Sequence, residues 1–152
     1  MKIIDTNALL VLVIGLMDTR LFETHKRTSI YEEDDFYNLL SVIGSDFTKV
    51  IVLPNVWTEV DNLLNNFSGT YKYPYILTIA RLIKESTESY IPSETVVTNH
   101  EFYNLGLTDC LILEQAKKCQ LLITSDSSLS EIAIANGIAV YDLVKVKNEK
   151  LK

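Results

Sequence analysis

The chain opens Met1-Lys2-Ile3-Ile4-Asp5-Thr6-Asn7 and continues from Ala8 to Met17 as ALLVLVIGLM. An acid and an amide in so apolar a start admit three readings: a secretory leader, a membrane anchor, or a turn between a buried strand and a buried helix. A helical membrane span needs about 20 apolar residues, and Ala8 to Met17 falls well short of that. A leader needs a basic start and a small-residue cleavage site. Here Lys2 is the sole basic residue before the run, Asp5 stands close to it, and no Ala-x-Ala pattern follows. The third reading suits every residue. Lys2-Ile3-Ile4 forms a short strand, Asp5, Thr6 and Asn7 are all good helix N-caps, and Ala8–Met17 is a helix packed on several sides.

The same alternation runs through the rest of the chain. Val50-Ile51-Val52-Leu53 reads as a strand stopped by Pro54, Leu121–Thr124 as another, and Ile138–Tyr141 as a last one, with a short strand expected over Glu94–Thr98. Helices are expected over Ser29–Ile43, with acids in its first turn, and over Asn55–Phe67, Pro74–Thr87, Leu107–Cys119 and Leu129–Asn136, the last stopped by Gly137. Asp18–Thr28 is a polar loop carrying His25-Lys26-Arg27. Short, continuously apolar strands alternating with helices imply an α/β fold: a parallel sheet of about four to five strands covered by helices on both faces. One domain is expected over residues 1–145, followed by a frayed Lys-rich tail, 146–152.

Composition narrows the function. The 152 residues carry a net charge of −6, whereas a protein that holds nucleic acid by charge alone is basic. Any nucleic-acid role must therefore rest on a local basic patch or on metal ions bridging to phosphate. The two cysteines, Cys110 and Cys119, lie in one helical segment with no Cys-x-x-Cys or Cys/His cluster. That argues against a zinc site and for free thiols in a reducing, cytoplasmic setting.

In parallel sheets, ligands sit beyond the carboxyl ends of the strands. Asp5 follows the first strand directly. Asp126 follows Leu121–Thr124 after Ser125. The helix beyond has its own capping box, Ser128-x-x-Glu131, which would spare Asp126 that duty. Asp109 shares a helical stripe with Ile112, Leu113 and Ala116, so it faces the packed side, where a lone charge is costly without a partner or a metal. The alternative is that Thr108 caps this helix and Asp109 only decorates its positive end. In the Asn55–Phe67 helix, Glu59 and Asp61 flank the apolar face on opposite sides, and periodicity does not choose between them. Oxygen-only ligands point to a hard cation, Mg²⁺ or Mn²⁺, whose natural chemistry with phosphate is phosphodiester hydrolysis.

The stretches IIDTN, LPNVWTEVDNLL, LTDCLILEQAKKCQLLITSDSSL and GIAVYDL, in this order, resemble the PIN-domain nucleases, the family that includes VapC-type toxins of toxin–antitoxin pairs. The resemblance implies a PIN-like fold and metal-dependent endonucleolytic cleavage of RNA. It implies a metal-binding, catalytic quartet of Asp5, Glu59, Asp109 and Asp126, and so favours Glu59 over Asp61. Thr6, Asn7, Thr124, Ser125 and Ser128 would orient these carboxylates. Where many members carry a further acid after the Asp126 equivalent, this chain has Ser128, which counts against a full second metal site. Members commonly form homodimers, and a toxin would have an antitoxin protein as partner; no membrane association is implied.

Two rivals remain within the resemblance: a housekeeping RNA-processing nuclease, and a non-catalytic PIN-like module that binds proteins. Residues 15–50 depart most from a compact member; their acidic helix and His25-Lys26-Arg27 loop either shape a substrate groove or partner surface or, for the acid run, form a solvated face. Tyr71, Lys72, Tyr73 and Tyr75 are either loop packing or a base-stacking surface. A phospho-accepting receiver domain would need paired acids near the first strand, and a haloacid-dehalogenase-like phosphatase needs Asp-x-Asp, where this chain has Asn7. His25 and His100 read as plain surface residues.

Overall fold

The computed structural model describes residues 1–151. Strand β1 (Lys2–Ile4) lies at the centre of the sheet, with Ile3 and Ile4 fully buried. It pairs in parallel with β2 (Val50–Val52) on one side and with β4 (Leu121–Thr124) on the other. An edge strand β3 (Thr87–Glu88) pairs with β2, and β5 (Val140–Asp142) pairs with β4. The result is a five-stranded, all-parallel sheet in the order β3-β2-β1-β4-β5.

Helix α1 (Thr6–Met17) is apolar around its whole circumference because it is enclosed. It packs against α2 (Glu33–Ile43), α3 (Pro54–Leu64) and α4 (Lys72–Glu85), and against β4. Gly15 lets α2 approach: a Cβ there would lie 2.2 Å from the Phe36 ring. The short α5 (Phe102–Leu105) leads into α6 (Leu107–Ala116), which packs on β1 and on α7 (Ser127–Ala135). Crossovers between parallel strands are right-handed. The β1-to-β2 and β2-to-β3 crossovers therefore put their helices on one face. The β4-to-β5 crossover runs the other way and puts α7 on the opposite face. Among the described residues no helix is long and apolar enough to cross a membrane.

Two expectations are corrected. Glu94–Thr98 forms no strand: Ser93–Thr95 is a 3-10 turn, and Val96 is buried as a plug. The edge strand comes earlier because α4 ends at Glu85 beside the free edge of β2. Thr87 then pairs with Ile51, and its hydroxyl donates to the Thr48 carbonyl at 2.5 Å. The Lys-rich end is not frayed along its length. Asp142 accepts from the amides of Val144 and Lys145 at 3.0 and 3.1 Å and caps α8 (Leu143–Glu149). Lys147 then reaches Asp35, 3.1 Å away. Glu32, Glu33 and Asp34 of the acidic run face solvent, but Asp35 is buried and also accepts from the Glu32 amide at 2.9 Å. A buried carboxylate needs such partners, and the lysine of the last helix supplies one.

Candidate functional site

Beyond β1 the chain turns into α1, and beyond β4 into α7. The sheet grows outward in opposite directions from this pair, so their carboxyl ends bound the crevice where open α/β sheets bind ligands. A cavity of about 320 Å³ lies there, lined by Asp5, Glu59, Asp109 and Asp126, with Thr6, Asn7, Thr108 and Arg27 among its neutral and basic walls. Four acids from four separate segments of sequence thus meet at one sheet edge.

Asp5 continues the strand ladder, its amide donating to the Ile123 carbonyl at 3.0 Å. Its side chain caps α1, with Oδ1 accepting from the Ala8 amide at 2.8 Å. Oδ2 accepts from the Thr124 hydroxyl and from the Ser125 amide, the latter at 3.3 Å. Thr124 Oγ1 in turn accepts from the Asp126 amide at 3.0 Å, so one buried hydroxyl couples the two strand-end acids. Asp126 Oδ1 accepts from the Leu129 amide at 2.9 Å. Glu59 stands between two threonines. Thr6 donates to Oε2 at 2.5 Å and Thr108 to Oε1 at 3.1 Å. Asp109 differs from the other three: no donor among the described residues hydrogen-bonds to its half-buried carboxylate.

Burial sets the electrostatics. The Asp109 carboxyl is pushed up to about 7, first by desolvation and then by the charges of Asp126, Asp5 and Glu59. Asp5 is pushed up to about 6 by burial, partly offset by the hydroxyl of Thr124 and the amides of Ala8 and Ser125. Near this cluster, burial lifts the Tyr31 phenol to about 12, against a lowering hydrogen bond with Ser125.

Glu59 lines the cavity and Asp61 does not. Asp61 is exposed, outside the cavity, and accepts from the buried Tyr75 hydroxyl at 2.6 Å. Tyr75 therefore belongs to the core, where Phe67 packs on it and on Tyr71. Neither His25 nor His100 lines the cavity.

Two local expectations are corrected, and one alternative falls away. Asp126 is not spared capping: α7 starts at Ser127, so Asp126 is its N-cap and the proposed box at Ser128 does not operate. Ser128 is exposed, does not line the cavity and bonds to none of the acids among the described residues. Asn7 lines the cavity, but its side chain accepts from Arg27 and holds no carboxylate, whereas Thr6, Thr124 and Ser125 do. Thr108 does not cap α6. That place belongs to Gly106, with φ at 81°, and Thr108 is free to hold Glu59. Sequence reading placed Arg27 only within a loop expected to shape a substrate groove or partner surface, with no role of its own. Its Nη1 donates to Asn7 Oδ1 at 3.3 Å, across the cavity rim, and the only signal was its basic charge in a loop of an acidic protein.

Comparison with known family models, curated proteins and solved structures gives no match. Among the described residues no three His, Cys, Asp or Glu side chains form a ready-made metal-holding group. Asp5 and Glu59 each accept internal hydrogen bonds on both oxygens, and Asp126 on one. The donor set nevertheless fits a hard cation. It is all oxygen, it is strongly anionic, and Asp109 offers a carboxylate that internal donors leave free.

The raised carboxyls give a stability signature in the metal-free protein. An acid whose folded pKa lies above its unfolded value of 3.8 holds its proton more tightly when folded. Stability is therefore highest at low pH within this window and falls as pH rises from about 4 to about 7. Asp109→Asn removes one such group. In chelator, its Tm is expected to exceed that of the wild type by about 4 °C at about pH 8, after allowance for solvent screening, and to converge with it near pH 4.5. Thermal melts across that range check this, and a pH-independent difference would contradict it.

Proposed function

We propose that this protein is a divalent-metal-dependent endoribonuclease that hydrolyses RNA phosphodiester bonds, in line with the PIN-like resemblance of its sequence. The observation that carries the reading is the meeting of Asp5, Glu59, Asp109 and Asp126 in one cavity at the carboxyl edge of the central strands. An acidic pocket repels an anionic substrate, so such a cluster suits phosphate chemistry only through a cation.

Asp109 and the unengaged oxygen of Asp126 are the readiest ligands for Mg²⁺ or Mn²⁺, with Asp5 and Glu59 completing the anionic wall. When bound, the ion supplies water activation and charge neutralisation at the phosphate. The chain's own residues orient and hold. Thr124 fixes Asp5 relative to the Asp126 backbone, and Thr6 and Thr108 clamp Glu59 between α1 and α6. Caps at Asp5 and Asp126 tie these acids to rigid helix starts, which keeps the geometry from drifting between turnovers. No histidine lines the cavity, so a carboxylate of the cluster is the protein group placed to accept a proton from water.

The test is cleavage of a mixed RNA pool with Mn²⁺, with Asp5→Asn and Asp109→Asn alongside. Loss in both variants supports the reading, and equal activity in all three proteins defeats it. A finer proposal, resting on the sequence resemblance, is a cytoplasmic toxin with an antitoxin partner. It predicts growth arrest on expression that Asp109→Asn relieves; arrest that persists in the variant removes it.

One observation favours a second reading, a non-catalytic interaction module. Asp5 and Asp126 act as helix caps and Glu59 bridges two threonines, so three of the four acids also hold the fold together. Calorimetry with Mn²⁺ separates the two: no binding by an intact fold selects the module.

A further inference from the structure

Arg27 is the cation that the site's chemistry has not yet used. It lines the cavity with the four acids, yet it makes no ion pair among the described residues. Its one side-chain bond is to Asn7, a neutral acceptor, at 3.3 Å on the exposed rim. A long bond between exposed groups contributes little, so the guanidinium is free to exchange it for a better acceptor.

The base of the side chain, by contrast, is fixed. The Arg27 amide donates to His25 Nδ1 at 3.1 Å. The next residue, Thr28, is fully buried, and its hydroxyl donates to the Phe22 carbonyl at 3.0 Å. The Thr28 amide and carbonyl bond to His25 and Tyr31, each at 3.0 Å. An anchored backbone carrying a released, forked cation at the mouth of an anionic cavity is the arrangement that grips a bridging anion.

We infer that Arg27 binds a non-bridging oxygen of the phosphodiester that enters the acidic cavity, handing over from Asn7 Oδ1 to the phosphate. This rests on the nuclease reading for the identity of the anion. In this role Arg27 positions the strand so that the scissile phosphate meets the carboxylate cluster, and its planar fork makes lysine a poor substitute. A counter-ion role toward the four acids is the competing explanation, and it would show as altered metal affinity.

The experiment uses the full chain and a short fluorescein-labelled single-stranded RNA, with Ca²⁺ for binding by anisotropy and Mn²⁺ for cleavage. Arg27→Ala is expected to weaken RNA binding about tenfold and to reduce the slope of log affinity against log salt by about one. It is expected to lower kcat/KM about a hundredfold, with Mn²⁺ affinity by calorimetry and Tm unchanged. Arg27→Lys is expected to recover the salt slope but little of the cleavage. RNA affinity within about twofold of wild type with an unchanged slope overturns the assignment, as does a changed Mn²⁺ affinity with unchanged RNA binding. Arg27-dependent binding without any cleavage by the wild type removes the nuclease reading and leaves Arg27 as a phosphate contact. Cleavage that Arg27→Ala leaves intact removes Arg27 alone, and a wild type that neither binds nor cleaves removes both.

Discussion

Asp109→Asn is expected to lower Mn²⁺-dependent RNA cleavage at least about a thousandfold while leaving the protein folded. The size follows from what surrounds this carboxylate. Asp5, Glu59 and Asp126 are partly occupied by internal donors, but Asp109 has none among the described residues and carries the strongest push toward neutrality, up to about 7. A charged group held so unfavourably costs stability; protonation relieves that cost at low pH, and under the proposed function a bound cation would offset it at neutral pH. Asparagine keeps the shape and removes the charge, so it abolishes that compensation without opening a cavity. The control lies on the neighbouring helix. Asp61→Asn is expected to leave cleavage within about twofold, because Asp61 serves Tyr75 rather than the cavity. Single-turnover cleavage of one RNA by the three proteins measures both. Equal losses in Asp109→Asn and Asp61→Asn would mean that the cavity is not the reaction site.

Gly15→Val is expected to destabilise the fold by about 3 kcal/mol, lowering Tm by roughly 9 °C. The added carbon meets three atoms of the Phe36 ring at 2.2, 2.5 and 2.7 Å. Phe36 is itself only 4% exposed and packs near Phe22 and Tyr37, so the ring has little room to yield. Valine also forgoes most of the helix-propensity gain that alanine would bring against glycine. Phe36→Leu in the same chain is expected to recover part of the loss, giving a favourable coupling energy in a double-mutant cycle. Independent, additive effects of the two substitutions would show that α2 does not approach α1 through this contact. The consequence reaches the site, because α1 also presents Asp5, Thr6 and Asn7. A shift of this helix would loosen the Thr6 bond to Glu59, and cleavage is expected to fall with stability.

Much of the architecture was readable from local pattern. Ile3-Ile4, Val50–Val52 and Leu121–Thr124 are continuous apolar runs, and continuity marks a strand buried on both faces. Thr87–Glu88 carries no such mark, since a two-residue edge strand is defined by its neighbour rather than by its own residues. The C-terminal helix was hidden for a similar reason: VKVKNEK looks like a solvated tail until buried Asp35, far away in sequence, gives Lys147 something to hold.

At the site, sequence alone determined that Asp5 and Asp126 follow strands and that acids outnumber every other ligand type, because these facts depend on neighbours in the chain. It left Glu59 and Asp61 equivalent by periodicity, and it assigned Asp126 no capping duty because the Ser128 box looked sufficient. Only the tertiary structure decided these points. Tyr75 draws Asp61 away, Thr6 and Thr108 hold Glu59 in place, and α7 begins early enough for Asp126 to cap it. It also brought Arg27 to the rim beside Asn7. Which side chains share a cavity follows from strand order, with β1 between β2 and β4, and strand order is set by long-range packing that no short stretch of sequence encodes.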